Sequence, residues 1–103
     1  MPDESEDDFA AELLGTDVLV GLTTVDWGGK VLGRREFHGT VVRASAENGV
    51  TLVDDEGMEH WLPLLRDAYE PADPGEYRLR TTGEVVVDPA WLTMWTVHPP
   101  ERH

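Results

Sequence analysis

Short runs of apolar and β-branched residues, separated by turn-forming residues, fill most of the chain after its first fifteen positions. Gly, Asn or Asp stands at each boundary, and these residues accept a positive φ or hydrogen-bond their own backbone. The runs cover residues 18–25, 37–42, 50–53, 58–63, 76–80, 84–87 and 92–98. They predict a mainly β fold, a small, strongly bent antiparallel barrel of about six or seven short strands.

The N-terminus has a different pattern. Residues 1–8 read MPDESEDD, which predicts a disordered acidic tail because no large apolar side chain offsets the chain entropy. The tail is interpreted as a solubilising arm, or as an electrostatic lure for a basic partner. Phe9 and Leu13 share a helical face before Gly15, so a short helix over 9–15 is predicted. It must dock to be stable, onto an open end of the barrel or onto a partner. One domain is expected over 9–98, with a C-terminal tail over 99–103.

Two hairpins differ in how firmly their register can be predicted. A three-residue loop at 81–83, with Gly83 in the left-handed conformation, pairs Leu79 with Val85 and Tyr77 with Val87. Apolar residues then face apolar residues, which favours this register. For the hairpin across Gly57, two-residue and three-residue loops both remain open.

Charge narrows the classes of partner. Asp and Glu number 21 and Lys and Arg number 8, a net charge of −13. Such a chain is not expected to bind nucleic acid or an anionic membrane unaided. There is no apolar run near 18 residues and no secretory pattern, so a cytoplasmic protein is expected. Cysteine is absent, which excludes disulfides, thiolate catalysis and Cys-ligated metals.

Catalytic motifs are missing. The sequence contains no GxGxxG, GxxxxGK[ST], HExxH or GxSxG pattern, so neither an enzyme nor a cofactor is predicted. His38 and His60 lie on separate predicted strands, with Glu36 and Glu59 nearby. Two histidines and a carboxylate suit Zn²⁺ or Fe(II), so a metal- or small-ligand-dependent enzyme is a third hypothesis. Because no local spacing supports that site, half-buried or surface histidines are the preferred interpretation.

Four tryptophans are many for 103 residues. In one interpretation Trp61 and Trp95 pack inside the barrel and Trp91 covers its end. In the other, Trp27 and Trp91 form an exposed patch that anchors a protein interface within an acidic rim. The residues predicted to bind a partner are Trp27, Trp91, Asp54, Asp55 and Glu56.

Residues 39–54, GTVVRASAENGVTLVD, resemble the first motif of the Sm family in length and apolar spacing. That motif has a glycine in a bent strand, a turn and an apolar strand, and the helix before the first strand is similar too. The resemblance implies an Sm-like or SH3-like barrel, and a homo-oligomer built through edge strands. The family holds a uracil with an Asp and an Asn in this loop, where this chain has Ser45 and Gly49.

The leading hypothesis is a non-catalytic acidic interaction module that binds a basic protein, as immunity or inhibitor proteins do. The alternative is an Sm-like nucleic-acid binder whose arginines cluster on one face. That face would comprise Arg34, Arg35, Arg43, Arg78 and Arg80. Scattered arginines would contradict the alternative.

Overall fold

The computed structural model describes the backbone of residues 4–98 and the side chains of residues 8–98. Within these residues the chain forms one helix, eight strands and a 3-10 turn at Arg66–Ala68. The elements are α1 Glu4–Leu13, β1 Asp17–Val25, β2 Val31–Ser45, β3 Gly49–Val53, β4 Glu59–Leu62, β5 Tyr69–Pro71, β6 Glu76–Arg78, β7 Val85–Val87 and β8 Trp91–Val97. The mainly β prediction is therefore confirmed.

Six strands form one sheet in the order β4-β3-β2-β1-β8-β5, and β6 and β7 form a separate hairpin. Within the described residues no pairing joins β4 to β5, so the predicted barrel closure is not confirmed. Strand β8 runs parallel to β1, from Val18 beside Trp91 to Thr24 beside Val97. The all-antiparallel prediction was wrong at this pair, because apolar patterning does not encode strand direction across a long connection.

One face of the sheet carries the main core. Side chains alternate along a strand, so Val18 and Val20 of β1 share a face with Phe37 of β2. Helix α1 covers this face through Phe9 and Leu13, both almost fully buried. The helix therefore docks on the sheet, as its short length requires.

The start of α1 differs from the predicted start. The helix begins at Glu4, whereas the sequence predicted residues 9–15 and assigned 4–8 to the acidic tail. Docking of Phe9 and Leu13 fixes the helical backbone, and a helix that has formed its first turn adds further residues at little cost, so the helix extends into this segment. The helix ends at Leu13, and Gly15 adopts a φ of 81° while its N–H donates to the Val41 carbonyl at 2.8 Å. Residues 1–3 and the predicted tail 99–103 lie outside the described residues.

The opposite face of the sheet is covered by the β6–β7 hairpin. Leu19 of β1 packs with Leu79 and Val86 in a second, smaller core. Strand β1 is thus buried on both faces at residues 18–21, and the described residues form three layers: helix, sheet and hairpin. No helix in the described part of the chain is long and apolar enough to cross a membrane.

The predicted register of the β6–β7 hairpin was wrong by one residue. Tyr77 pairs with Val86, and the Leu79 N–H donates to the Glu84 carbonyl at 2.8 Å, so the loop has four residues. Gly83 adopts the left-handed conformation expected of it, with a φ of 77°. A one-residue slip reverses the face of every side chain in a strand. Val86 consequently faces the sheet, and Glu84, two residues before it, faces the same way.

The β3–β4 hairpin, whose loop length the sequence left open, has a three-residue loop. Asp54 and Met58 close it, with the Asp54 N–H donating to the Met58 carbonyl at 3.0 Å. Gly57 occupies the last loop position with a φ of 81°. The loop therefore consists of Asp55, Glu56 and Gly57, and it brings two carboxylates beside β2.

Candidate functional site

An acidic cleft of about 550 Å³ opens between the sheet and the β6–β7 hairpin. Five of its ten lining residues are acidic, against one arginine and one histidine. The lining comprises Arg35, Glu36, Phe37, His38, Asp54, Asp55, Glu56, Thr81, Thr82 and Glu84. These ten residues are called the acidic cleft.

His38 lies at the centre of the charged groups. Its Nδ1 is 3.1 Å from Asp17 Oδ1, and its Nε2 is 2.9 Å from Glu84 Oε2 and 3.2 Å from Asp55 Oδ2. Asp17 begins β1, Asp55 belongs to the β3–β4 loop, and Glu84 lies in the β6–β7 hairpin. Three separate segments therefore direct a carboxylate at one imidazole of β2.

The surroundings of His38 change its protonation. Burial by itself would lower the pKa of the imidazole, since desolvation disfavours the charged form. The hydrogen bonds to Asp17 and Glu84, with the charges of Asp17 and Asp55, outweigh burial and raise the pKa to about 9. At neutral pH His38 is therefore a cation among three carboxylates, and the cluster keeps an excess of negative charge.

His60 belongs to a different pair. Its Nε2 lies 2.8 Å from Asp54 Oδ2, and its ring stacks on Phe37 at 4.1 Å between centroids. Asp54 also accepts the backbone N–H groups of Glu56 and Met58 at 2.9 and 3.0 Å. The hydrogen bond from His60, followed by the one from the Met58 N–H, lowers the pKa of the Asp54 carboxyl. Asp54 thus holds the β3–β4 loop in shape, and the other two carboxylates of the loop, on Asp55 and Glu56, are exposed.

The structure does not form the metal set considered from the sequence. Phe37 and His38 are consecutive on β2 and point to opposite faces, and His60 stacks on Phe37. The two histidines therefore lie on opposite sides of the sheet. Glu59 instead pairs with Arg43 at 3.2 Å, and Glu36 accepts the Arg80 backbone N–H.

A different set comes together at His38. Ligand atoms of His38, Asp55 and Glu84 all lie within 4.8 Å of one another. Of these, the sequence had singled out His38 and Asp55, although for different sites. Glu84 was missed in the sequence because the predicted register of the β6–β7 hairpin turned the Glu84 side chain away from the sheet. Asp17 was missed because no residue pattern around Asp17 indicates a functional role.

The tryptophans predicted to form one patch lie at opposite ends of β1. Trp27 lies two residues after the end of β1, is 66 % exposed and stacks on His98 at 4.4 Å. Trp91 pairs with Val18 at the start of β1 and packs edge-on against Phe9 at 5.4 Å. A strand of nine residues, about 30 Å long at roughly 3.3 Å per residue, separates them.

The other two tryptophans divide between core and surface. Trp95 packs against the main core, as predicted. Trp61 was predicted inside but is 61 % exposed on the edge strand β4, where its Nε1 donates to the Asn48 carbonyl at 2.6 Å. The next residue of that strand, Leu62, points to the opposite face of the sheet and is buried.

Three of the five predicted arginines share a second cavity. Arg34, Arg35 and Arg80 line an arginine cleft of about 290 Å³, which adjoins the acidic cleft through Arg35, Glu36 and Thr81. The remaining two lie elsewhere. Arg43 forms the ion pair with Glu59, and Arg78 donates to the Gly83 carbonyl at 3.4 Å.

Comparisons of the chain with protein-family models, with curated proteins and with solved structures found no match. Function is therefore inferred from the geometry and charge of the two clefts.

Proposed function

We propose that the protein is a non-catalytic interaction module that binds a basic protein partner through the acidic cleft. The supporting observation is the concentration of five carboxyl groups around one cavity that contains a single arginine and a single histidine. Asp55, Glu56 and Glu84 are exposed there and can accept charge-assisted hydrogen bonds from a lysine or arginine of the partner. Small acidic inhibitors of basic toxins or nucleases use this kind of recognition.

The whole chain adds to the attraction. Its net charge of −13 steers a basic partner toward the molecule and accelerates association at low ionic strength. Exposed charges are screened by salt, so binding should weaken steeply as salt rises. The exposed Trp27 lies at the far end of β1 and is a separate candidate contact.

The test is capture of a partner from source lysate by the immobilised full chain, with nuclease present and with stepped salt. The cleft variant carries Asp55→Asn, Glu56→Gln and Glu84→Gln. A matched control carries Asp67→Asn, Glu70→Gln and Asp73→Asn, three exposed acids outside the cleft. Both variants lose three negative charges, so only position distinguishes them.

The proposal expects a basic protein to bind wild type and the control and to be lost from the cleft variant. Equal loss of capture in both variants would show that net charge alone is responsible for binding. That result would overturn the role of the cleft. Partners that disappear on nuclease treatment would favour the second candidate.

That second candidate is a nucleic-acid binder of the Sm-like kind, using the arginine cleft. Its support is that Arg34 and Arg80 line one cavity and that, among the described side chains, neither has a carboxylate within 4.0 Å. The guanidinium of Arg35, the next residue on β2, instead lies over the Phe37 ring at 5.2 Å from its centroid. This candidate function also predicts that the sheet closes into a barrel and that the chain forms a homo-oligomer. Arg34→Gln with Arg80→Gln should then abolish nuclease-sensitive capture, whereas Arg43→Gln should not.

A further inference from the structure

The inner end of the acidic cleft places one nitrogen and two oxygen ligands around a common point. His38 Nε2 is 2.9 Å from Glu84 Oε2 and 3.2 Å from Asp55 Oδ2. The ligands come from β2, from the β6–β7 hairpin and from the β3–β4 loop. The convergence is thus a product of the tertiary fold and not of one acidic run in the sequence.

Charge at this position is not balanced by the described side chains. Apart from His38, none of them places a basic group within 4.0 Å of Asp17, Asp55 or Glu84. Three carboxylates converge on one imidazole, and the other acids of the cleft lie beside them, so negative charge is in excess at this position. A divalent cation supplies the charge that is missing.

We propose that His38, Asp55 and Glu84 form a binding site for a divalent first-row cation, with Zn²⁺ as the best fit. Zn²⁺ takes imidazole and carboxylate ligands at about 2.0–2.1 Å in a tetrahedron, which separates neighbouring ligand atoms by about 3.3 Å. The 3.2 Å separation of Nε2 from Asp55 Oδ2 matches this value, the 2.9 Å separation from Glu84 Oε2 is shorter, and the two oxygens lie within 4.8 Å of each other. The opening of the cleft leaves the fourth position to water.

Asp17 supports the same assignment from the other side of the ring. It accepts a hydrogen bond from His38 Nδ1, which leaves Nε2 as the metal-binding nitrogen and fixes the ring orientation. Binding displaces the Nε2 proton to solvent, as metal binding by histidine does in general. Asp17 is therefore a positioning residue, and His38, Asp55 and Glu84 are the ligands.

The site goes beyond the proposed function, although it shares Asp55 and Glu84 with the acidic cleft. A cation bound there would compete with a basic side chain of a partner. It would also tie the hairpin and the β3–β4 loop to the sheet.

The experiment is calorimetric titration of ZnCl₂ into the EDTA-stripped, dialysed full chain, with MgCl₂ as the oxygen-preferring comparison. One Zn²⁺ per chain is expected. Glu84→Gln and Asp55→Asn should each weaken binding by at least about tenfold, and Asp17→Asn by about tenfold. Glu56→Gln, in the same loop but outside the ligand set, should bind as wild type does. Circular dichroism checks that each variant folds.

A second measurement needs no variant. In the wild-type protein, nitrogen NMR should show Zn²⁺ shifting Nε2 of His38 and leaving the ring of His60 unchanged. Substoichiometric binding, equal affinity of wild type and Glu84→Gln, or loss of binding only in His98→Gln would overturn the proposal. Because no partner is present, a negative result here leaves the test of the acidic cleft unaffected.

Discussion

The charged network around His38 predicts a pH-dependent contribution to stability in the metal-free protein. His38→Asn removes the titrating group and keeps a side-chain N–H that can still donate to Asp17. In the folded protein the pKa of His38 is raised from 6.5 to about 9. A raised pKa means that the stabilisation is complete below about pH 6.5 and is lost as the pH rises through about 9.

The size of this stabilisation follows from the same pKa values. A rise from 6.5 to about 9 corresponds to about 3 kcal/mol at most. The Asp55 and Glu84 side chains are 67 % and 42 % exposed, so solvent screens their share of the interaction. Asp17 is less exposed, at 34 %, and holds the other ring nitrogen. The expected contribution is therefore about 1–2 kcal/mol.

Urea unfolding in EDTA, followed between about pH 6 and pH 9.5, measures this contribution. At each pH the quantity compared is the free energy of unfolding of wild type minus that of His38→Asn. This difference should be about 1–2 kcal/mol larger at about pH 6 than at about pH 9.5. Other titrating groups are common to both proteins and cancel in the difference. Parallel curves for the two proteins over the whole range would refute the assignment of a raised pKa to His38.

Two further predictions concern packing and use denaturant unfolding. Leu79→Ala should cost about 2–4 kcal/mol because Leu79 fills the core beneath the hairpin, whereas Val87→Ala on the exposed face should change stability by less than about 0.5 kcal/mol. Equal effects would contradict the observed register. Gly39→Ala should destabilise by about 1–3 kcal/mol, since its Cβ would lie 2.8 Å from the Val53 carbonyl oxygen. Gly33→Ala on the same strand meets nothing within 4 Å and should be close to neutral, so a larger loss there would refute the steric reason.

Local features of this fold were accessible from the sequence. The left-handed glycine at Gly83 and the turn character of residues 54–57 follow from chemistry within a few positions of each turn. The mainly β class follows from the same turns and from the apolar runs between them. The parallel pairing of β1 with β8 depends on residues more than 70 positions apart, and no local pattern encodes it.

The candidate site shows the same division. Asp54, Asp55 and Glu56 were visible as an acidic turn, because the loop is contiguous. Asp17 and Glu84 are 21 and 46 positions from His38, and their role depends on how two other elements pack on β2. Trp27 and Trp91 are the opposite case. Their residue type suggested a shared interface, but the fold places them at opposite ends of β1.

The register of the β6–β7 hairpin links the core to the charged cluster. Pairing apolar residues within the hairpin favoured Leu79 opposite Val85, a choice that considers two strands in isolation. The sheet is a third partner, and it selects the register that places Leu79 and Val86 together against Leu19. Because side chains alternate, burying Val86 necessarily turns Glu84 toward the sheet, where His38 lies. The Glu84 contact, which adds to the effect of Asp17 on the His38 pKa, is thus a consequence of hydrophobic packing two residues away. A change that shifts this register would disturb the core and the cluster together.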